Sequence, residues 1–268
     1  MKTFNSKRLR PLIACLLGLL AFAKLEAETV IFLYALDADW RALEASGAVV
    51  RKVERIGGSK IQVARLGAHV VVAAPLGAGQ VESAVVLAGV LARYPADRIL
   101  TTGAAGGIAE GFVQGSVVVV DRIQNWQVGT EGGGGWREAE RAQIEVRPWR
   151  LDEIGAVSNW PKVKTASAEV FVASEAERAR LRGLTRAEVV DMNLYGLEKA
   201  NGVRDLPALH LRVISDLANE EAGATFGDFV ASYDGVLGRK AAELIGALGV
   251  GAEAPEAHPE LRALRGGR

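Results

Sequence analysis

Apolar residues are distributed in two different ways along the chain. Leu12 to Ala23 (LIACLLGLLAFA) is an unbroken block of twelve with no 3.6-residue period. A spanning helix needs ~20 such residues, so this block is too short. It follows Lys2, Lys7, Arg8 and Arg10 and ends in the small-residue pattern Ala21-Phe22-Ala23, with Leu25-Glu26-Ala27 as a looser second site. That order of charge, apolar core and small residues is the pattern of a secretory signal peptide. Leu12-Ile13-Ala14-Cys15 resembles a lipoprotein box only superficially, since nearly all of the apolar run follows the Cys. The expectation is a signal peptide over 1–27, export to the periplasm or beyond the cell, and no stable membrane insertion after cleavage.

Downstream the apolar residues fall into short, bounded runs. Thr29–Tyr34 (TVIFLY), His69–Pro75 (HVVVAAP), Arg98–Thr102, Ser116–Asp121, Glu188–Met192 and Leu209–Ser215 read as buried strands. Val49–Arg55 and Ile61–Leu66 alternate around Gly57-Gly58, which predicts a hairpin. Helical stretches are expected at Ala38–Ala45, Gln80–Arg93, Asn193–Asn201 and Phe226–Leu248. Interleaved strands and helices predict one α/β domain over 28–250, with a mixed, mostly parallel central sheet covered by helices on its faces. Two stretches are expected outside that core. Gln124–Lys164 carries a Gly run and four of the five Trp with little periodicity, as a substrate lid, surface or oligomer contact would. The tail 251–268 is expected to be loosely ordered.

Composition narrows the function. Across 268 residues, 32 Lys+Arg balance 32 Asp+Glu, which excludes a nucleic-acid partner held by phosphate neutralisation. The segment 1–27 takes five bases and one acid with it, leaving 27 bases against 31 acids. It also takes the only Cys, so the remaining chain has no thiol and suits an oxidising compartment. His69, His210 and His258 are too scattered for a ligand set. No metal and no cofactor is assigned.

Candidate chemistry sits where strands end. Pro75–Gly79 (PLGAG), between a strand and a helix, and Thr102–Gly107 (TGAAGG), closing another strand, are expected to be Gly-rich turns that let backbone N–H groups approach a ligand, or that simply pack tightly. Neither is a dinucleotide fingerprint, a P-loop or a nucleophile elbow. Leu209–Asn219 (LHLRVISDLAN) places Arg212 inside an apolar strand that ends in Ser215-Asp216. Asp216 there is either a helix N-cap or a general acid. Buried, Arg212 requires an anionic or water-mediated partner.

Taken together, Ala35–Asp39, Gly77–Gly79, Thr102–Gly107, Val190–Met192 and Arg212–Asp216 resemble the nucleoside phosphorylase/nucleosidase superfamily, above all its methylthioadenosine/S-adenosylhomocysteine nucleosidase branch. The likeness runs from about Thr29 to Leu248. It implies a small-molecule nucleoside as substrate, a homodimer, and hydrolysis of the N-glycosidic bond of a purine nucleoside. In that chemistry the leaving base is protonated at N7 and water attacks a ribosyl cation.

By resemblance Asp216 is the acid shared with N7, Asp39 the residue that activates water, and Arg212 the residue that orients it. Phe171 stacks on the base and Val172 offers backbone hydrogen bonds. Met192 packs under the ribose, and Phe226 lies near the 5′ substituent. Gly79, Gly103 and Ala104 belong to the stretches nearest the sugar. Three positions depart from the family pattern. Asp39 stands for Glu, Ala104 for Ser, and Asn193 for the Glu that grips the ribose hydroxyls. Asp191, on the same side of its strand as Asn193, is the candidate to replace that lost charge. Two other readings stay open: a phosphate-dependent phosphorylase, and a catalytically degenerate nucleoside-binding protein. The approach Ile99–Thr102 lacks an arginine for phosphate, which favours water.

Overall fold

The run TVIFLY forms β1 (Thr29–Tyr34), and five of its six residues are buried, because both faces of this strand are covered. The computed structural model describes residues 27–132, 135–138, 142–149 and 159–248. The expected signal peptide, residue 27 apart, and the tail 251–268 lie outside the described residues. After β1 come α1 (Asp37–Ala45), β2 (Val49–Ile56), β3 (Ser59–Leu66), β4 (His69–Pro75) and α2 (Gln80–Arg93). Next are β5 (Arg98–Gly107), β6 (Val117–Asn125), β7 (Gly129–Gly132), β8 (Gly135–Glu138), β9 (Gln143–Glu145) and β10 (Lys162–Ser167). The last third holds α3 (Glu175–Thr185), β11 (Val189–Asp191), α4 (Leu194–Asn201), β12 (Ala208–Asp216), α5 (Ala222–Ser232) and α6 (Val236–Ala247).

Ten strands form one mixed sheet, ordered β11-β10-β6-β12-β5-β1-β4-β3-β2 with β9 beside β6. Its centre, β4-β1-β5-β12, is parallel throughout. Antiparallel pairs flank it, among them the expected hairpin β2–β3 and the pair β12–β6. β11 also pairs antiparallel with β5, Val190 opposite Gly106. The strands β5, β12, β6, β10 and β11 therefore close into a ring.

Strand alternation divides the core. Val30 and Phe32 face Trp40 and Leu43 of α1 and Leu237, Ala241 and Leu244 of α6. Ile31 and Leu33 face Val86, Leu87 and Val90 of α2 and Leu194 and Leu197 of α4. Each buried Val, Leu or Ile contributes about 1.5–3 kcal/mol, so helices on both faces are what make a central parallel sheet stable.

Three expectations are corrected. The stretch Thr102–Gly107 is not a turn closing a strand; it is the second half of β5. A Cβ on Gly106 would lie 2.9 Å from Val190 Cγ2 and 3.1 Å from Asp216 Oδ1, so small residues there admit neighbouring strands. The long helix expected over Phe226–Leu248 is two helices, because Gly235 turns the chain at φ +77° with Ala38 O where a Cβ would be. Gln124–Lys164 is only partly separate from the core: β7 and β8 pair with each other as a two-stranded sheet of their own, but the rest of its described part joins the main sheet or packs on it. Gln124 and Asn125 end β6, β9 pairs with β6, and Trp149 is buried against the α1/α6 face.

Candidate active site

The carboxyl ends of β1, β4, β5, β10, β11 and β12 surround a cavity of about 210 Å³. Its wall comprises Ala35, Leu36, Gly77, Ala78, Ala104–Gly106, Val170–Val172, Val190–Asn193, Ser215, Asp216 and Phe226. This is where an open α/β sheet binds ligands, since strands and loops there present backbone groups and strand-end side chains together.

Asp216 ends β12 and is 2% exposed. Its Oδ1 accepts from Ala218 N at 2.9 Å and its Oδ2 from Ser215 Oγ at 2.8 Å. Burial raises its carboxyl above the usual range, and those two hydrogen bonds only partly offset the shift. It caps no helix: α5 starts at Ala222, and the residue at its N-cap is Glu221. A buried acid whose hold on a proton is strengthened beside an apolar wall is suited to proton transfer.

Opposite chemistry comes from rings. Phe171, 40% exposed, meets Phe226 edge to face with centroids 5.7 Å apart. Val172 is buried next to it. This aromatic corner offers a planar ligand a π face.

Asp191 and Asn193 bracket Met192 on the wall, and their polar atoms are engaged differently. Asp191 Oδ2 accepts from Leu194 N at 3.2 Å and from Arg212 Nη2 at 3.3 Å. Its Oδ1 is buried without a partner among the described residues. Asn193 Nδ2 donates to Ser83 Oγ at 2.7 Å, Gly77 O at 3.1 Å and Gly79 O at 3.4 Å. Asn193 thus ties the start of α4 to the loop before α2, a job that needs an amide donor.

Four of the residues singled out from the sequence lie off the cavity wall. Gly79 is behind Asn193. Gly103 sits between Ala35 Cβ and the Arg212 guanidinium. Arg212, 1% exposed, donates to Thr101 Oγ1 at 3.1 Å and Leu211 O at 2.9 Å as well as to Asp191. Asp39 is fully buried: its Oδ1 accepts from Tyr233 Oη at 2.8 Å and Gly238 N at 3.0 Å. Burial pushes the Asp39 carboxyl up, against those hydrogen bonds and the charge of Arg212.

The sequence reading missed Ser215, which orients Asp216, and Ser83, which holds Asn193. It also missed Tyr233, which binds Asp39. Ser83 and Tyr233 act on partners more than a hundred residues away, so no local signal marks them, whereas Ser215 acts on its chain neighbour Asp216.

Residues 29–248 match the phosphorylase superfamily. The chain belongs to that superfamily. A 5′-methylthioadenosine/S-adenosylhomocysteine nucleosidase of Listeria monocytogenes serotype 4a is 28% identical over 158 residues, covering 52% of this chain. The match spans 65% of that relative's length, just under two thirds. Among solved structures, S-adenosylhomocysteine nucleosidase from Streptococcus pyogenes, complexed with 5-methylthiotubericidin, aligns with a TM-score of 0.72 at 22% identity. That alignment covers 85% of this chain and 98% of the other. A futalosine hydrolase mutant of Helicobacter pylori also aligns with a TM-score of 0.72, at 19% identity, covering 83% and 98%. These likenesses carry the phosphorylase-superfamily fold.

Proposed function

We propose that this phosphorylase-superfamily member binds a purine nucleoside, methylthioadenosine-like, and hydrolyses its N-glycosidic bond. The observation that carries the reading is Asp216: a buried carboxyl, raised by its surroundings, on the wall of a cavity with an aromatic corner. In this scheme the base packs against Phe171 with Val172 beside it. Asp216 delivers its proton to N7. The C1′–N9 bond then breaks with its electron pair passing to the purine, leaving a cation on the ribose. Water adds its oxygen to C1′ and gives up a proton.

Asp191 supplies the negative charge nearest that cation. Its unpartnered Oδ1 is the acceptor for the water, in place of the more distant Asp39. Met192 packs under the sugar, and Phe226 borders the 5′ substituent. No Lys or Arg lines the cavity among the described residues, which supports water rather than phosphate as the nucleophile.

A second reading, binding without turnover, is favoured by one observation. The amide of Asn193 is committed to Ser83, Gly77 and Gly79 where a charged carboxylate would face the sugar.

Two further expectations belong to this proposal. The protein works as a homodimer, with exposed Val170 and Phe171 on the cavity wall and exposed Val81 and Val85 on α2 covered by the second copy. It acts after export.

Incubating the mature protein with methylthioadenosine, S-adenosylhomocysteine, adenosine and inosine tests the reading. Free base and free sugar are expected without phosphate, and Asp216→Asn is expected to abolish both. Base release that requires phosphate and yields a sugar 1-phosphate would make the protein a phosphorylase. Tight binding with no product would make it a binding protein.

A further inference from the structure

Beneath the cavity floor a line of buried polar groups that the proposed chemistry does not use runs up to Asp191, which it does use. His210 Nε2 lies 3.0 Å from Glu198 Oε1, and His210 Nδ1 lies 3.0 Å from Thr101 Oγ1. Arg212 Nη1 reaches the same threonine oxygen at 3.1 Å, and Arg212 Nη2 reaches Asp191 Oδ2 at 3.3 Å. Asn201 Nδ2 holds Glu198 at the far end, 3.3 Å from Oε1 and 3.2 Å from Oε2. Every member is buried.

With His210 neutral, counting hydrogens gives the line one direction. A guanidinium only donates, so Thr101 Oγ1 accepts from Arg212 and its single hydrogen passes to His210 Nδ1. His210 then carries its proton on Nε2 and gives it to the Glu198 carboxylate. The other tautomer strands the threonine hydrogen and turns a bare ring nitrogen toward a carboxylate. Thr101 and His210 lie on strands whose neighbours are Leu100, Leu209 and Leu211. Apolar residues would serve stability better at such positions, since buried polar groups are costly even when paired.

We propose that Glu198, His210 and Thr101 are positioning residues that lock Arg212 and, through it, present Asp191 to the sugar side of the cavity. The second half of that statement rests on the nucleoside reading above; the hydrogen-bond order does not.

The test combines two readouts on the full chain. In protein labelled with ¹⁵N-histidine, His210→Gln identifies the His210 signals among three histidines. They are expected to show an unprotonated Nδ1 and a protonated Nε2, with the Nδ1 signal displaced in Thr101→Val. In an Asp216→Asn background, which prevents turnover, Thr101→Val is expected to weaken adenosine binding about tenfold, the size of one charge-assisted hydrogen bond, and to leave adenine binding unchanged. Thr101→Ser, which keeps the hydroxyl, is expected to restore both readouts.

A proton on Nδ1, adenosine binding by Thr101→Val equal to its background, or a Thr101→Ser variant no better than Thr101→Val would each overturn the proposal. If the unsubstituted protein binds neither adenosine nor adenine, the nucleoside reading fails. The tautomer and its response to Thr101→Val then decide the relay alone.

Discussion

Tyr233 Oη donates to Asp39 Oδ1 at 2.8 Å across 194 residues of sequence. With Gly238 N on the same oxygen, Asp39 is a tie between α1 and the α5–α6 junction. Tyr233→Phe removes one of two donors to a buried carboxyl and is expected to lower stability by about 1–2 kcal/mol in urea unfolding. Base release is expected to change less than about threefold. A hundredfold loss of turnover at unchanged stability would return Asp39 to the chemistry.

Asp216 leaves a signature in stability as well as in rate. Burial raises its carboxyl above the unfolded value of 3.8, so the folded chain holds this proton where the unfolded chain has lost it. Stability therefore falls as pH rises through the interval between the two values. Asp39 has the same sign. Asp216→Asn removes one of the two contributions. A flatter stability–pH curve above about pH 4 and equal or greater stability at pH 7 are expected, beside a loss of at least about 10² in turnover. Unfolding curves at several pH values check it, and a steeper curve in the variant would contradict the assignment.

Asn193→Glu restores the charge that the resemblance expects beside the sugar. Its carboxylate cannot donate to Ser83, Gly77 or Gly79, so it turns into the cavity and Gly77 O loses its donor, while Ser83 Oγ still donates to Gly79 O at 2.7 Å. The expected result is a stability loss of about 1–2 kcal/mol together with faster base release. If turnover is absent in both forms while nucleoside affinity is retained, the protein is a binder.

Two glycines of α6 separate packing from propensity. A Cβ on Gly238 would lie 1.9 Å from Asp39 O, a backbone atom that cannot move aside, whereas Gly246 has nothing within 4 Å. Gly238→Ala is expected to cost about 3 kcal/mol or more through overpacking. Gly246→Ala is expected to add about 0.5–1 kcal/mol through helix propensity. Thermal unfolding of the two variants should shift in opposite directions.

Strands with continuous apolar runs, such as β1, β4 and β12, were legible because burial on both faces demands such runs. The Gly-rich end of β5 was not, since its extended form is imposed by Val190 and Asp216 crowding against it. Helix α3 did carry a local signal: Ser174 and Glu177 have capping-box spacing, and Ser174 Oγ accepts from Glu177 N at 3.4 Å. Of the site, the strand-end residues Asp216 and Asp191, and Asn193 two residues beyond β11, were readable because parallel strands deliver their carboxyl ends to the same edge. Arg212 belongs to a strand interior, where alternation decides its direction; it shares a face of β12 with His210 and Ile214 and so meets Thr101 instead of the cavity. The burial of Asp39 off the cavity wall was not legible, because its partner Tyr233 lies in the break between α5 and α6, where one continuous helix was expected.

The ring of strands also sets an order of assembly. Thr101 meets His210 across 109 residues, whereas β2 with β3 and β3 with β4 pair through short connections that close quickly. The edge of β5 that β12 covers has no partner strand in any chain that lacks β12. A chain stopped before residue 208 would keep that edge open as a template for another chain. The cavity exists only once β11 and β12 have closed on β5, so ligand binding by a preparation counts finished molecules and is blind to the half-built ones.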